Sequence, residues 1–509
     1  MLQDLSREVA IAEEHSDWSN YPNLGILQLA SAIRDIPGIE PVYLDGTVCP
    51  LRVIKEFISA NAESILAVCV SVLTATYQAG VQILGFAKQA DARITTIVGN
   101  DHFTALPSLC LGKQAHLIDY GFTGNEIIAS FRALVGDLKR GAVRPPSSYP
   151  SLAAGPDGTV APSVPEPVFT DIDYTLIDKD YHHSDRYRAN FARRVALPQQ
   201  QAFGRRLRQG VPVEIGRGCI KFLNDDACSF CAIQYGGMWR NAVPSGAVAW
   251  EVIERAFVAG YDYLYVTADE LPNTFRALLV QMRENTPGWW KQLDEAERPL
   301  LAGYARADGL CRGDSARLLR ELGFRVIMIG LDAANPTSLA ALNKPIRSRN
   351  GSFDPEAMFR ANCEALSRAK QHGLRVKVGV VLGHLGMTAG LLRENLDTFQ
   401  AILAHGREAI ASVDVEVLSP EPGSRDYLHL LSPELATATS ERLGLTVADA
   451  ATRGEIAEKW RDRDAVDLEE AMRDYVAAFM PDLSLEVLIS ARRQLRGYAR
   501  DLGIFVGEQ

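Results

Sequence analysis

The stretch VPVEIGRGCIKFLNDDACSFC (residues 211–231) decides the fold of the larger part of this chain. It opens with VPVEIG, an apolar run of strand length, and then carries Cys219, Cys228 and Cys231 in the pattern C-x8-C-x2-C. Cysteine is otherwise sparse, with eight in 509 residues. Three thiols crowded into one loop after a strand indicate a bound metal in a reducing compartment rather than a disulfide framework.

The spacing of these cysteines narrows the kind of metal. Three thiolates on one loop can bind three irons of a [4Fe–4S] cluster and leave the fourth iron open to an outside ligand. A structural zinc site needs a fourth ligand, and the nearest imidazoles, His182 and His183, lie outside the loop. Asp225 and Asp226 could bind a hard ion, but thiolates favour a softer metal. An iron–sulfur cluster is the first interpretation, and a zinc ribbon or three unrelated buried thiols is the alternative.

Strand-like and helix-like segments alternate after the loop. The strand-like runs are YLYVTA, LLAGYA, FRVIMIGL, LRVKVGVVLG and SVDVEVL, and helical patterns lie at 246–260, from about 273, near 315–322, near 355–373 and near 390–404. About six β/α units without a hairpin signal predict a partial or full parallel barrel over residues 211–425. The charged segment 426–509 is predicted to be a mostly helical C-terminal domain.

Residues 1–140 show the same alternation on a smaller scale. Apolar runs at 64–73, 94–99 and 116–122 read as strands around a helical stretch at 79–91, which predicts a Rossmann-like three-layer domain. Residues 141–210 are interpreted as a linker and connecting helices, because their first part is rich in Pro, Gly, Ser and Ala. The fold class is therefore α/β.

Composition excludes several classes of protein. The chain is 47% hydrophobic and 23% charged, which fits neither a disordered nor a fibrous protein. Its net charge of −10 argues against a nucleic-acid partner. Without a long apolar run or a signal-peptide pattern, we expect a cytoplasmic protein that does not engage a membrane. The remaining thiols are expected to be small buried residues, namely Cys49, Cys69, Cys110, Cys311 and Cys363.

A three-cysteine loop closing the first strand of a parallel β/α barrel resembles the radical S-adenosylmethionine (SAM) superfamily. The commonest pattern there is C-x3-C-x2-C with an aromatic residue just before the last cysteine, and Phe230 occupies that place. The eight-residue spacer between Cys219 and Cys228 departs from that pattern, which leaves the path of the loop open. The resemblance implies that Cys219, Cys228 and Cys231 bind a [4Fe–4S] cluster and that Phe230 lies beside SAM.

Later elements resemble the branch of this superfamily that also carries cobalamin. Asp269 and Glu270 stand where the family holds the methionine amino group of SAM, and Arg306 lies in an aromatic–x–Arg–x–Asp element that could meet a carboxylate. Asp332 stands where many members have the acid that reaches the SAM ribose. Leu382 lies in a segment similar to the one that flanks the adenine. The resemblance implies that all five residues contact SAM.

The N-terminal domain resembles the cobalamin-binding domain of that branch in YPNLGIL (21–27), YLDG (43–46), VGNDHFTALP (98–107) and GFTGNE (121–126). Ligands of parallel sheets lie beyond the carboxyl ends of the strands. The residues that this placement and the resemblance assign to cobalamin are Asp45, Ser71, Thr74, Gly99, Asn100, His102, Gly124 and Glu126. The Asp-x-His-x-x-Gly signature that supplies an imidazole to cobalt is absent, as is common in the branch. A domain that has kept its shape but lost its ligand is the alternative.

These features predict a cobalamin-dependent radical SAM enzyme that methylates an unactivated carbon of a small natural-product intermediate. A flavodoxin- or ferredoxin-type protein would supply single electrons. Two other functions remain open at this point. One is a radical cyclisation, rearrangement or oxidation without methyl transfer, and the other is a non-catalytic protein whose cysteines bind zinc.

Overall fold

The computed structural model describes residues 19–155, 158–162, 171–177, 184–233, 240–346 and 353–507. His182 and His183 lie outside the described residues. The chain divides into two compact units. Unit 1 comprises Met1–Arg193 together with Arg463–Val466, and unit 2 comprises Arg194–Asp462 together with Asp467–Gln509.

Unit 1 contains a five-stranded sheet with helices on both faces. Its strands are β1 (Ala67–Ser71), β2 (Thr95–Gly99), β3 (Tyr120–Phe122), β4 (Leu152–Ala154) and β5 (Thr159–Val160). Its α-helices are Leu24–Ile33, Leu51–Asn61, Tyr77–Ala90, Asp101–Ala105, Pro107–Lys113, Ile128–Arg140 and Ser184–Phe191. The strands follow the order β1-β2-β3-β4-β5, in which β1 to β3 are parallel and the last two are antiparallel. Neighbouring residues of β2 serve opposite faces, since Val98 packs with Phe103 and Ile97 packs with Phe122.

The segment interpreted as a linker contributes two of these strands. Ala153 of β4 pairs with Gly121 of β3, and Leu152 pairs with Phe122. Both β4 residues are fully buried. Two apolar residues within a stretch rich in Pro and Gly are too short a signal to predict a strand. They form a strand here because they pair with the open edge of β3.

Unit 2 is built on a second, larger parallel sheet. The strands of unit 2 are β6 (Gly210–Val213), β7 (Gly216–Arg217), β8 (Arg240–Asn241), β9 (Tyr263–Val266), β10 (Leu300–Ala305), β11 (Phe324–Asp332), β12 (Arg375–Leu382), β13 (Ile410–Val417) and β14 (Phe505–Val506). Seven of them form a parallel sheet in the order β14-β13-β12-β11-β10-β9-β6, and β7 pairs with β8 alone. The predicted α/β fold class and its six barrel strands are confirmed, and the seventh strand, β14, was not predicted.

Helices connect the strands of unit 2, and further helices follow β13, the last strand that the sequence predicted. They are Leu197–Phe203, Gly246–Val258, Arg276–Glu284, Gly288–Gln292, Ala307–Cys311, Ser315–Glu321, Pro336–Ala341, Pro355–Gln371, Ala389–Gly406, Arg425–Leu431, Pro433–Leu443, Ala450–Trp460, Leu468–Phe479 and Leu485–Asp501. Side-chain caps begin several of them, for example Ser245, Asp354 and Thr388. No helix in the described part of the chain is long and apolar enough to cross a bilayer.

Candidate functional site

The parallel register of unit 2 brings the residues predicted from sequence to one edge of its sheet. Val266 of β9 pairs with Val213 of β6 on one side and with Gly303 of β10 on the other. Because parallel strands end at the same edge, the segments that follow them meet there. Those segments carry Cys219, Cys228, Cys231, Phe230, Asp269, Glu270 and Arg306, while Asp332 and Leu382 end β11 and β12.

The three cysteines of the loop lie within electrostatic range of one another. Cys228 is buried, and Cys219 and Cys231 are half-buried. Burial raises the pKa of Cys219 to about 12, and burial together with the neighbouring Cys228 raises the pKa of Cys231. A bound metal removes that cost because it takes the thiolate as a ligand. These donors therefore fit an iron–sulfur cluster.

A single metal ion and a cluster require different arrangements of these sulfurs. The described residues contain no group of three His, Cys, Asp or Glu side chains placed to hold a single metal ion. Each iron of a cluster takes its own thiolate, so the sulfurs need not converge on one point.

Asp269 joins the end of β9 to the cysteine loop. Its Oδ2 atom accepts a 2.8 Å hydrogen bond from the main-chain N–H of Gly218, the residue before Cys219. Gly218 has φ 100°, a conformation that favours glycine. Asp269 is half-buried and lies close enough to Cys231 to influence its pKa. Glu270 lies within electrostatic range of Cys219 as well, but of the two acids Asp269 is the one that is partly open and bonded to the cysteine loop.

Glu270 serves its own loop instead. The residue is fully buried, and its carboxylate accepts hydrogen bonds from the main-chain N–H groups of Asn273 (3.0 Å) and Thr274 (2.8 Å) and from the Thr274 hydroxyl (2.7 Å). Burial raises the pKa of Glu270. The sequence pairs the two acids as equivalents, but the structure gives them different surroundings.

Arg306 is buried and braces two other elements. Its Nε donates to Asp308 Oδ1 at 3.0 Å, and its Nη2 donates to the carbonyl of Lys344 at 2.7 Å. We expected Arg306 to bind a carboxylate, and the carboxylate that it binds here is that of Asp308, two residues further along the same motif. Its charge lies within range of Cys219 and Cys228.

Asp332 pairs with a buried lysine that the sequence motifs did not reveal. Asp332 and Lys344 form an ion pair, and both are nearly fully buried. The backbone of Asp332 is left-handed (φ 57°) at an irregularity in the pairing of β11 with β12. Leu382 is also buried, whereas Phe230 is half-buried. Lys344 lies only twelve residues beyond Asp332, but the sequence does not show that the two side chains meet, because their contact depends on the path of the chain between them.

Unit 1 presents a partly open polar edge at the carboxyl ends of its parallel strands. Ser71 pairs with Gly99 across β1 and β2, and Asn100 Nδ2 donates to Ser71 Oγ at 2.9 Å. Asn100 has φ 86°. Gly124 has φ 74° and open space where a Cβ would lie. These four residues are half-buried, like Glu126, and fit a ligand lying against the edge.

Three other residues assigned to cobalamin are engaged inside unit 1. His102 is fully buried, with Nδ1 3.2 Å from Thr74 Oγ1 and Nε2 2.7 Å from the carbonyl of Asp464. Asp45 accepts hydrogen bonds from the hydroxyls of Tyr43, Thr47 and Tyr187 and from the main-chain N–H of Thr47. The placement of His102 and Thr74 at an open pocket is therefore corrected. Asp464 is 362 residues away from His102, and no local pattern could reveal that contact.

The remaining cysteines divide into two groups. Cys49 and Cys110 are buried as expected, but Cys69 and Cys363 are exposed and Cys311 is intermediate. Cys69 lies two residues before Ser71 and so shares its face of β1.

Comparisons with known proteins agree with this architecture. Residues 18–129 match the family model of the B12 binding domain. The fold is similar to the radical SAM methyltransferase TsrM from Kitasatospora setae, solved with its tryptophan substrate and a SAM analogue, at TM-score 0.62 and 15% identity over 80% of this chain and 73% of that chain. It is also similar to OxsB, a cobalamin-dependent SAM radical enzyme solved with aqua-cobalamin, at TM-score 0.55 and 14% identity over 86% of this chain and 63% of that chain.

No curated protein matches the chain. The predicted likeness to the cobalamin-carrying branch of the radical SAM superfamily is confirmed in its fold and in its N-terminal domain.

Proposed function

We propose that this chain is a cobalamin-dependent radical SAM enzyme that methylates an unactivated carbon of a small natural-product intermediate. One observation carries the proposal. Three cysteines and Asp269 meet at the carboxyl edge of the unit 2 sheet, in a chain whose residues 18–129 match the B12 binding domain.

The residues of unit 2 divide the work at the cluster. Cys219, Cys228 and Cys231 would each hold one iron, which leaves one iron open to the amino and carboxylate groups of SAM. Asp269, half-buried next to the loop, would hold the SAM amino group. When bound, the cluster would supply the electron that cleaves one SAM to a 5′-deoxyadenosyl radical, and cobalamin would carry a methyl group taken from a second SAM.

The remaining predicted SAM residues have supporting roles in this proposal. Arg306 holds the main chain at Lys344, and Lys344 orients Asp332. Asp332 would meet the ribose, Leu382 would help to shape the adenine pocket, and Phe230 would shield SAM from water. Glu270 would maintain the loop that presents Asp269.

The open edge of unit 1 would hold cobalamin through Ser71, Gly99, Asn100 and Gly124. Glu126 lies at the same end of the sheet. Both ring nitrogens of His102 are already bonded, which supports cobalamin binding without an imidazole ligand to cobalt. An external flavodoxin- or ferredoxin-type protein would deliver electrons.

A radical rearrangement, cyclisation or oxidation without methyl transfer is the second candidate. It would use the same cluster and cobalamin sites, and the similarity to OxsB, a cobalamin-dependent SAM radical enzyme, does not distinguish it from methyl transfer. The similarity to TsrM, described as a methyltransferase, favours methyl transfer.

The proposal is tested on anaerobically purified full-length protein reconstituted with iron, sulfide and cobalamin. We expect a brown protein that cleaves SAM to 5′-deoxyadenosine when reduced. Cys219→Ala, Cys228→Ala and Cys231→Ala should abolish both properties, and Cys363→Ala, which changes an exposed thiol, should keep them. A colourless protein that holds zinc would refute the proposal.

Methyl transfer is tested separately with SAM labelled in its methyl group. Methylation predicts S-adenosylhomocysteine and 5′-deoxyadenosine together, and a product heavier by one labelled methyl group. A product that gains no label would favour the second candidate.

A further inference from the structure

The spacer between the first two cysteines is long, yet it is held along most of its length. The segment Ile220–Asp225 forms 3-10 turns, and the main-chain N–H of Phe222 donates to the carbonyl of Cys219 at 2.9 Å. The main-chain N–H of Ile220 donates to Thr274 Oγ1 at 3.0 Å. Since a longer loop has more conformations to lose, these bonds alone leave its second half undetermined.

Lys221 fixes that second half from inside the protein. Its side chain is almost completely buried, and its ammonium donates to Asp226 Oδ2 at 2.8 Å and to the carbonyl of Pro345 at 2.7 Å. A buried ammonium needs hydrogen-bond acceptors and a negative partner, and Asp226 and the Pro345 carbonyl supply them. Lys221 therefore joins the start of the spacer to its end, and both to the turn after helix Pro336–Ala341.

Asn343 completes the attachment to that turn. Its Nδ2 group donates to the carbonyl of Ala227 at 2.8 Å and lies 3.1 Å from Asp226 Oδ1. The main-chain N–H of Ser229 donates to the carbonyl of Leu342 at 2.9 Å. Asn343 is buried and has φ 49°. Residues 342–345 thus hold the spacer at Lys221, Asp226 and Ala227, and hold the cysteine loop again at Ser229.

We propose that Lys221 and Asn343 are positioning residues that hold the eight-residue spacer in the path that presents the cysteines to a single cluster. This inference rests on the proposed function, because it assigns a purpose to the spacer only if a cluster binds there. Neither residue ligates iron. Lys221 acts through the carboxylate of Asp226, and Asn343 acts through Asp226 and the carbonyl of Ala227, the residue before Cys228.

The experiment measures how long the cluster survives in reconstituted full-length variants. Asn343→Gly keeps the left-handed backbone and removes the side-chain donor. Asn343→Asp keeps the shape but places a carboxylate against Asp226. Lys221→Met removes the ammonium. Lys88→Met is the matched control, because Lys88 also bridges a carbonyl (Ile94, 2.9 Å) and an aspartate (Asp119, 2.6 Å), but does so in unit 1.

We expect an iron chelator to strip the cluster about 10–100-fold faster from the Asn343 and Lys221 variants, as is typical for residues that orient metal ligands. Asn343→Asp should lose the cluster at least as fast as Asn343→Gly, because an aspartate has the shape of asparagine but cannot donate to the carbonyl of Ala227. Lys88→Met should match the wild type. Cobalamin binding and the thermal unfolding of unit 1 should stay unchanged in all Asn343 and Lys221 variants.

Two results separate this inference from the proposed function. If the wild type takes up no cluster, the proposed function fails and the inference fails with it. If the wild type takes up a cluster but Asn343→Gly and Lys221→Met retain it as long as the wild type does, only the inference is overturned. Full retention in Asn343→Asp, or equally fast loss in Lys88→Met, would also overturn it.

Discussion

Gly309 offers a sharp test of how the acidic pair after β9 is held. It lies in helix Ala307–Cys311, and a Cβ built there would be 2.7 Å from Glu270 Oε1 and 2.7 Å from Asn273 Nδ2. Side-chain ends often move aside, but Glu270 is fully buried and its carboxylate is bonded at Asn273 and Thr274. An added methyl group must therefore disturb this network.

The two effects of Gly309→Ala have opposite signs. Alanine gains about 1 kcal/mol over glycine inside a helix. Overpacking costs about 1–3 kcal/mol, and weakening a hydrogen bond to a charged group costs about 1.5–3 kcal/mol more. Once the helix gain is subtracted from the two costs, we expect the free energy of unfolding of unit 2 to fall by about 1.5–5 kcal/mol. Because Glu270 maintains the loop of Asp269, cluster retention should also fall.

The matched control is Gly497→Ala in helix Leu485–Asp501, where the added methyl group would have no atom within 4 Å. This change should raise the free energy of unfolding by about 1 kcal/mol. Urea unfolding followed by circular dichroism compares both variants with the wild type. If Gly309→Ala is as stable as the wild type, or more stable, our account of the Glu270 network is wrong.

Three further changes test other parts of the protein. Gly121→Ala places a Cβ 2.0 Å from the buried ring of Phe103, so the unfolding free energy of unit 1 should fall by about 1–3 kcal/mol, and a thermal transition equal to that of the wild type would contradict this. His102→Gln should leave the absorbance spectrum of bound cobalamin unchanged, because both ring nitrogens are bonded within the protein, and a spectral change would show that imidazole ligates cobalt. Burial lowers the pKa of His384 from 6.5 to about 4, so the unfolded chain takes up a proton over this range before the folded protein does. The free energy of unfolding should thus fall by about 3 kcal/mol between pH 6.5 and 4 and level off below, while His384→Gln should flatten this part of the pH profile.

The His384 network shows why burial there favours the neutral ring. Nδ1 lies 2.9 Å from the carbonyl of Leu385, which can only accept, so Nδ1 carries the proton. Nε2 lies 2.9 Å from Ser338 Oγ, and this hydroxyl already accepts from Asn395 Nδ2 at 2.8 Å. With its proton on Nδ1, the neutral ring accepts at Nε2 from the serine hydroxyl, whereas a protonated ring would have to donate there and make that hydroxyl turn its own proton away.

Local patterns were sufficient to predict most of the longer strands and helices. Runs such as FRVIMIGL predicted β11, since an apolar, β-branched strand covered on both faces needs no distant information to be recognised. The strand–loop order also placed Cys219, Asp269 and Arg306 at one edge of one sheet. By contrast, β14 has two residues and β4 has three, and such short runs become strands only beside an edge that accepts them.

The roles of individual polar residues depended on partners far away in the chain. Asp269 and Glu270 are adjacent, and only the position of Thr274 and of the Cys219 loop shows which one is enclosed. His102 resembled a pocket residue until Asp464 was found against its ring.

The order of residues by itself determined an α/β chain, with a Rossmann-like domain followed by a barrel whose first strand leads into a three-thiol loop. It could do so because hydrophobic periodicity and cysteine spacing are properties of short sequence windows. Only the tertiary structure decided which polar groups remain open and which are consumed by internal hydrogen bonds. Lys221 and Asn343 became visible in this way, since a buried lysine or asparagine acquires its meaning from acceptors more than a hundred residues distant. Side-chain partners are set by packing in space, and packing combines segments that no sequence window contains together.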